Sequence, residues 1–111
     1  MKDRVSFNGN EMSYVLSGEL DHHSARLARE NIDSLIQQKK PSVLRLDFSE
    51  VSFMDSSGIG LIMGRYRMIH LYGGDLKVVN IPQELERIMT LSGLKVLGVI
   101  EQKGEVYENA E

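Results

Sequence analysis

Apolar and polar residues alternate in two short runs near the start of the chain, at residues 4–8 and 12–17. The segment Asn8-Gly9-Asn10 separates these two runs. An Asn-Gly pair between alternating runs is a strong signal for a β-hairpin, because both residue types readily adopt a positive φ. The pattern therefore predicts that the chain opens with two antiparallel strands.

The spacing of apolar residues then changes to that of an amphipathic helix over roughly residues 22–38. Small and apolar side chains share one side of this helix: Ala25, Ala28, Ile32, Leu35 and Ile36. Asp21 is a suitable N-cap, and the helix is expected to end near Pro41.

Strands and helices alternate in the remainder of the chain. We predict strands at 43–48, 76–79 and 96–100, a helix at 58–72, and another that opens at Asn80-Ile81-Pro82 and stops at Gly93. The order becomes β-β-α-β-α-β-α-β, with residues 102–111 as a frayed final helix. This alternation favours parallel pairing. The predicted fold class is α/β, a single domain over 1–111 with a mixed sheet and helices packed on it.

Composition narrows the classes of function. The 111 residues carry 13 Lys and Arg against 16 Asp and Glu, a net charge of −3, which argues against nucleic-acid or anionic-lipid partners. The absence of Cys excludes disulfides, Cys-ligated zinc and thiol catalysis. Apolar runs reach about seven residues against roughly 20 for a spanning helix, and no signal peptide is evident. We expect a cytoplasmic protein without a metal, membrane or nucleic-acid partner.

The most informative segment is Asp55-Ser56-Ser57-Gly58, at the junction of a loop and a helix. One N-cap requires one such residue, so the cluster leaves at least one hydroxyl free. Helix N-termini also present unpaired N–H groups that attract anions. On residue types alone, the cluster is either a plain cap or a place that binds or carries a phosphate.

The residues around this cluster come close to two enzyme motifs but match neither. Gly58-Ile59-Gly60 lacks the third glycine of G-x-G-x-x-G, which falls at 64 instead of 63. The glycine required before the serine of a nucleophile elbow is missing, and no P-loop occurs. We therefore assign no catalytic residue and no cofactor, and predict that the protein is not an enzyme.

Other candidate features remain open between structural and functional interpretations. Gly60 and Gly64 predict close packing of a helix face on the sheet. The apolar residues 59–63 exceed what one buried stripe needs, so part of them is expected to contact a partner.

The residues Glu19 and Asp21 have three possible roles: a turn and cap, a rim of partner contacts, or an acid–base pair. His22, His23 and His70 are expected to be structural or surface residues, without a metal.

Five segments resemble a known family: Gly18–Asp21, Leu46–Ser49, Phe53–Leu61, Gly64–Tyr66 and Leu91–Leu94. In order and spacing they are similar to the STAS domain of bacterial anti-sigma factor antagonists, most of all to the sporulation (anti-sigma F) group of endospore-forming bacteria. The Met-Asp-Ser-Ser-Gly signature at 54–58 is the most specific of them. The resemblance covers nearly the whole chain.

This resemblance implies a regulatory switch. The unphosphorylated protein would bind an anti-sigma factor that is also an ATP-dependent serine kinase, and so release a sigma factor. The kinase would phosphorylate Ser57, and a PP2C-like serine phosphatase would restore the binding form. The expected partner-binding residues are Glu19, Asp21, Asp55, Ser56, Ser57, Gly58 and Ile59. The alternatives are a stress-response sigma pathway with the same fold, a small nucleotide-binding domain, and a structural STAS module of a larger assembly.

Overall fold

The computed structural model describes residues 2–101. Its strands are β1 (Arg4–Asn8), β2 (Glu11–Leu20), β3 (Val43–Met54) and β4 (Asp75–Val79). Its helices are α1 (His22–Lys39), α2 (Ser56–Leu71) and α3 (Gln83–Leu91), followed by a 3-10 turn at Leu94–Leu97. Within residues 2–101, none of the helices is long and apolar enough to cross a bilayer.

The four strands form one mixed sheet in the order β1-β2-β3-β4, which confirms the predicted α/β fold class. β1 pairs antiparallel with β2, whereas β2–β3 and β3–β4 are parallel. In the sheet Tyr14 lies beside Leu46 and Leu46 lies beside Val78, and all three are buried. The core therefore lies between this face and the helices. On the opposite face, Arg45 and Glu11 form an ion pair of 2.6 Å.

β2 and β3 both extend further than predicted. The register of their pairing shifts between Val15 and Ser17 and again between Gly18 and Glu19, where Gly18 has a φ of +85°. Such irregularities interrupt the period of two that sequence reasoning uses to follow a strand. As a result, the two strands end side by side, with Leu20 paired to Met54.

The predicted strand at 96–100 is wrong. Residues 94–97 form a 3-10 turn between Gly93 and Gly98, whose φ values are +80° and +73°. The Val96 side chain is 89% exposed, so this apolar run is not a core strand. The chain meets the sheet only from Val99 on: Ile100 forms an isolated parallel bridge to Val78, in which the Val99 carbonyl accepts the Val78 N–H at 2.7 Å and the Glu101 N–H donates to the Val78 carbonyl at 2.9 Å. The predicted final helix at 102–111 lies outside the described residues.

Most of the predicted helix ends agree with the structure. α1 ends where Lys40 adopts a left-handed conformation with a φ of 45°, directly before Pro41. α3 ends at Leu91 and is followed by the predicted glycine stop at Gly93. α2, however, begins at Ser56 instead of Gly58, which makes Asp55 its N-cap.

Candidate functional site

Two acidic N-caps lie at one edge of the sheet. Asp21 caps α1, and its Oδ1 accepts the Ser24 N–H at 3.0 Å while the Ser24 hydroxyl accepts the Asp21 N–H at 3.0 Å. Asp55 caps α2, and its Oδ1 accepts the Ser57 N–H at 2.8 Å. The two caps are neighbours because β2 and β3 end together, and the Asp55 N–H points to the Leu20 carbonyl at 3.4 Å. Both helices therefore open at the same place.

The structure decides which residue of the Asp55-Ser56-Ser57 cluster caps the helix. The cap is Asp55, which leaves Ser56 as the first residue of α2 and Ser57 as the second. Ser56 is exposed and Ser57 is half-buried. Neither hydroxyl has a hydrogen-bond partner within residues 2–101. Both hydroxyls are thus free for chemistry, and burial distinguishes them.

Gly58 is where α2 approaches the end of β3. A Cβ added to Gly58 would lie 2.3 Å from Cγ and 2.4 Å from Sδ of Met54, and 3.2 Å from Cδ2 of Leu20. Gly58 is buried, whereas the following Ile59 is half-buried. Gly58 is one of the predicted partner-binding residues. Its contribution is to packing, because the missing side chain lets the start of α2 lie against the ends of β2 and β3.

The remaining predicted partner contacts surround this point. Glu19 is exposed, and its carbonyl accepts the Ser24 hydroxyl at 2.7 Å. Asp21 and Asp55 are half-buried beside it. The structure therefore brings together one edge formed by Glu19, Asp21, Asp55, Ser56, Ser57, Gly58 and Ile59.

The geometry gives no support to an acid–base pair at Glu19 and Asp21. Hydrogen bonds from Ser24, first of all from its backbone N–H, lower the pKa of Asp21 and hold this carboxylate ionised. A general acid near neutral pH needs a pKa raised by burial or by a like charge. The Asp21 carboxylate therefore serves as an ionised helix cap that accepts hydrogen bonds from Ser24.

The apolar surplus of α2 is mostly core. Leu61 and Ile62 are buried, and only Ile59 and Met63 keep part of their surface accessible. The expectation that part of 59–63 contacts a partner is thereby narrowed to Ile59 and Met63, and the contact itself stays a prediction. An apolar side chain exposed at this edge is Phe53, which is 50% exposed at the end of β3.

Gly60 and Gly64 do not pack on the sheet, contrary to the prediction. A Cβ added to either would meet nothing within 4 Å. Both glycines line a groove of about 380 Å³ between α1 and α2, together with Ser57. Their positions at three and seven residues after Ser57 place the three on one helix face.

Sequence reasoning missed the cationic character of this groove. Four arginines line it: Arg26 and Arg29 from α1, and Arg65 and Arg67 from α2. The helical spacing of the α1 pair could have indicated a basic stripe. Whether this stripe faces Ser57, however, depends on how α1 and α2 pack against each other.

The three histidines lie at the surface. His22 and His23 are exposed at the start of α1, and the His70 ring contacts the Tyr66 carbonyl through Nδ1 at 2.8 Å. Within residues 2–101, no three His, Asp or Glu side chains are grouped closely enough to hold a metal ion.

Comparison with known proteins indicates a single family. Residues 4–108 match the sequence model of a family described as the STAS domain, which confirms the resemblance found in the sequence. The anti-sigma F factor antagonist of Paenibacillus polymyxa is 40% identical over 79 residues, 71% of this chain and 68% of the relative. The anti-sigma-B factor antagonist of Bacillus subtilis strain 168 is 36% identical over 101 residues, 91% of each chain.

Solved structures of the antagonist SpoIIAA are similar over nearly the whole chain. The unphosphorylated anti-sigma factor antagonist SpoIIAA has a TM-score of 0.79 and 27% identity, covering 98% of this chain and 96% of that one. The phosphorylated form of SpoIIAA, a Bacillus cell fate determinant, has a TM-score of 0.71 and 26% identity, covering 99% and 100%.

Proposed function

Because this chain belongs to the STAS domain family, we propose that it is an anti-sigma factor antagonist, which binds an anti-sigma factor and so releases a sigma factor. The observation that carries the proposal is likeness over almost the full length to proteins named for this role. It includes a relative at 36% identity over 91% of both chains. These relatives are regulatory proteins, so we propose a binding protein of the cytoplasm and not an enzyme.

The proposed switch is phosphorylation of Ser57. The anti-sigma factor would act as a serine kinase and transfer the γ-phosphoryl group of ATP to Ser57 Oγ, and a PP2C-like serine phosphatase would remove it. Two observations support phosphorylation at this helix start: the Ser56 and Ser57 hydroxyls have no hydrogen-bond partner within the described residues, and SpoIIAA has been solved in both unphosphorylated and phosphorylated forms. The choice of Ser57 follows from its position in the Asp-Ser-Ser-Gly signature of the family.

Magnitudes favour a local block over a change of fold. A phosphate adds about −1.5 to −2 charges. Attraction to a helix N-terminus contributes only about 0.3–1 kcal/mol, against a folding stability of about 5–15 kcal/mol. A misplaced charge in an interface costs several kcal/mol, and each 1.4 kcal/mol is about tenfold in affinity. Phosphorylation can therefore abolish tight binding without refolding the domain.

The proposed contact surface is the edge around the two helix N-termini. Glu19 supplies an exposed carboxylate, Ser56 and Ile59 supply accessible surface, and Phe53 adds an exposed ring. Because Asp21 is a cap, a charge reversal there would also lower stability, so Glu19→Lys is the cleaner probe. It should weaken binding to the anti-sigma factor, with Asp75→Lys, at the far end of the sheet, as the matched control. Equal affinities of the two variants would remove Glu19 from the surface.

The sporulation pathway is the first candidate and the stress pathway the second. Identity is higher to the anti-sigma F factor antagonist, 40% over 71% of this chain. The match to the anti-sigma-B factor antagonist extends further, over 91% of this chain at 36% identity. Each relative thus favours a different anti-sigma factor as the partner.

The deciding experiment measures the affinity of the full chain for purified anti-sigma F and anti-sigma B factors by surface plasmon resonance. We expect tight binding to one of them, and at least a hundredfold weaker binding when phosphoserine is installed at position 57. Absence of binding to both factors would overturn the antagonist role. Equal binding of both forms would overturn the switch alone.

A further inference from the structure

The groove between α1 and α2 concentrates positive charge on an acidic protein. The chain carries a net charge of −3, yet four arginines line this groove, and none of the described residues that line it is acidic. Asp33 is the carboxylate paired with one of them, at 2.8 Å from Arg65 Nε. Arg26, Arg29 and Arg67 have no such ion pair within the described residues, and His22 at the start of α1 also lines the groove.

Arg65 supplies a donor that lacks an acceptor. The residue is only 6% exposed, and its Nη1 is buried without a hydrogen-bond partner within residues 2–101. Buried polar groups in folded proteins are almost always hydrogen-bonded, and a buried charged donor most of all. Because Arg65 lines the groove, an anion in the groove would supply the missing acceptor.

The Arg65–Asp33 pair does not neutralise this region. Burial lowers the pKa of Arg65, and the like charges of Arg29 and Arg67 lower it further against the attraction of Asp33. Burial also raises the pKa of Asp33, although Arg65 and Arg29 oppose this. Burial is thus the largest cause of both shifts, as expected for an ion pair withdrawn from solvent.

Ser57 lines the same groove. On the other side of Ser57, at the N-terminus of α2, the Asp55 carboxylate is already in place. The Asp55 carboxylate already accepts the Ser57 N–H at 2.8 Å, so a phosphate at the helix N-terminus would meet a negative charge there. Gly60 and Gly64 leave the groove side of α2 without side chains, in a volume of about 380 Å³. Attraction and space both lie on the groove side of Ser57.

We propose that this groove is a phosphomonoester site, and that the phosphate it holds is the one carried by Ser57 of the same chain. Arg67 and the α1 arginines Arg26 and Arg29 supply charge, and Arg65 supplies the buried donor. The phosphate thereby links α1 to α2. This inference rests on the proposed phosphorylation of Ser57 and adds the place to which the phosphate turns.

The test uses the full chain with phosphoserine installed genetically at position 57 or, as a control, at position 56, which does not line the groove. The pKa of the second phosphate ionisation is followed by ³¹P NMR; its ordinary value is about 6. In the groove we expect the Ser57 phosphate to titrate about one pH unit lower than the Ser56 phosphate. Both positions lie in the first turn of α2, so the comparison cancels the effect of the helix N-terminus.

Arginine variants identify the site. Arg67→Gln and Arg26→Gln should each move the Ser57 phosphate back toward its ordinary pKa, because both exposed side chains line the groove. Arg87→Gln removes the same charge from the exposed side of α3 and should leave the titration unchanged. Equal titration of the two phosphoserines, indifferent to Arg67, would overturn docking in cis.

A second arm separates the sources of phosphate. Inorganic phosphate is added to the unphosphorylated chain while the amide signals of Gly60 and Gly64 are followed by NMR. Shifts that depend on Arg67, without the lowered Ser57 titration, would mean that the groove binds free phosphate and that the source in cis is wrong. No response in either arm would refute the anion site. The proposed switch is judged separately, by partner affinity, since the phosphoserine is installed without the kinase.

Discussion

Arg65 of α2 places its Nε 2.8 Å from Oδ1 of Asp33 on α1, and this ion pair joins the two helices that open at the candidate site. The Arg65 side chain is 7% exposed and the Asp33 side chain 28%. Burial opposes both charges, raising the pKa of Asp33 and lowering that of Arg65. The pair therefore sets the relative position of α1 and α2 more than it adds stability of its own.

Asp33→Asn should lower the free energy of unfolding strongly, because it leaves the Arg65 guanidinium buried without a counter-charge. Loss of one partner of a buried pair costs about 3–5 kcal/mol, and the partial exposure of Asp33 places this variant at the low end. Urea denaturation measures the loss. Asp75→Asn is the control, since its carboxylate is 71% exposed and 3.8 Å from His70. The control should lose less than about 1 kcal/mol, and equal losses would contradict the buried pair.

Acid should remove the contribution of the Asp21 cap. Hydrogen bonds from Ser24 lower the pKa of Asp21 below its ordinary 3.8 in the folded state, so the unfolded chain binds the proton first. The stabilisation is therefore present above pH 3.8 and is lost as pH falls through the folded pKa. Asp21→Asn keeps a capping oxygen but cannot titrate. Its unfolding free energy should fall less steeply than that of the unmodified chain on going from pH 5 to pH 2, and parallel profiles would refute this assignment.

Gly64→Ala should raise stability and Gly58→Ala should lower it. Both positions lie within α2, where alanine is favoured over glycine by about 1 kcal/mol. A Cβ at 64 meets nothing within 4 Å, whereas a Cβ at 58 would lie 2.3 Å from Met54 Cγ and force that side chain to move. Thermal unfolding of the two variants separates propensity from packing. A destabilised Gly64→Ala would mean that this face of α2 is in fact closely packed.

Asp55→Ala should destabilise the protein by about 0.5–2 kcal/mol, because it removes the acceptor of the Ser57 N–H. Ser56→Ala should change stability by no more than about 0.5 kcal/mol, since Ser56 is exposed and is not the cap. Chemical denaturation of both variants tests the cap assignment. The reverse order of effects would show that Ser56 caps the helix.

Ser57→Ala should keep partner affinity but accept no phosphate, whereas Ser57→Asp should lose affinity incompletely. One carboxylate carries less charge and bulk than a phosphate. Binding is measured against the purified anti-sigma factor, and phosphate incorporation by mass spectrometry. Ser56→Ala is the matched control and should still be phosphorylated. Phosphate located on Ser56 in the unmodified protein would contradict the assignment to Ser57.

Local chemistry in the sequence is sufficient for many elements of this protein. Asn8-Gly9 predicts the hairpin, because these residues tolerate the turn geometry whatever surrounds them. Asp21 predicts the start of α1, because a cap is satisfied within its own first turn. The Met-Asp-Ser-Ser-Gly signature at 54–58 indicates the family, which the match over residues 4–108 confirms.

Contacts between distant segments decide the rest. β3 continues to Met54, paired with Leu20 of β2, across two register shifts, and no local pattern in the sequence records such shifts. The run at 96–100 has the composition of a strand, but its first residues belong to a 3-10 turn bounded by Gly93 and Gly98 at positive φ, and the chain pairs with β4 only at Ile100. Gly60 and Gly64 have the spacing of a packing motif, yet they line a groove. Which side of α2 meets the sheet and which meets the α1 arginines depends on helix packing, and a single segment does not encode the position of its neighbour.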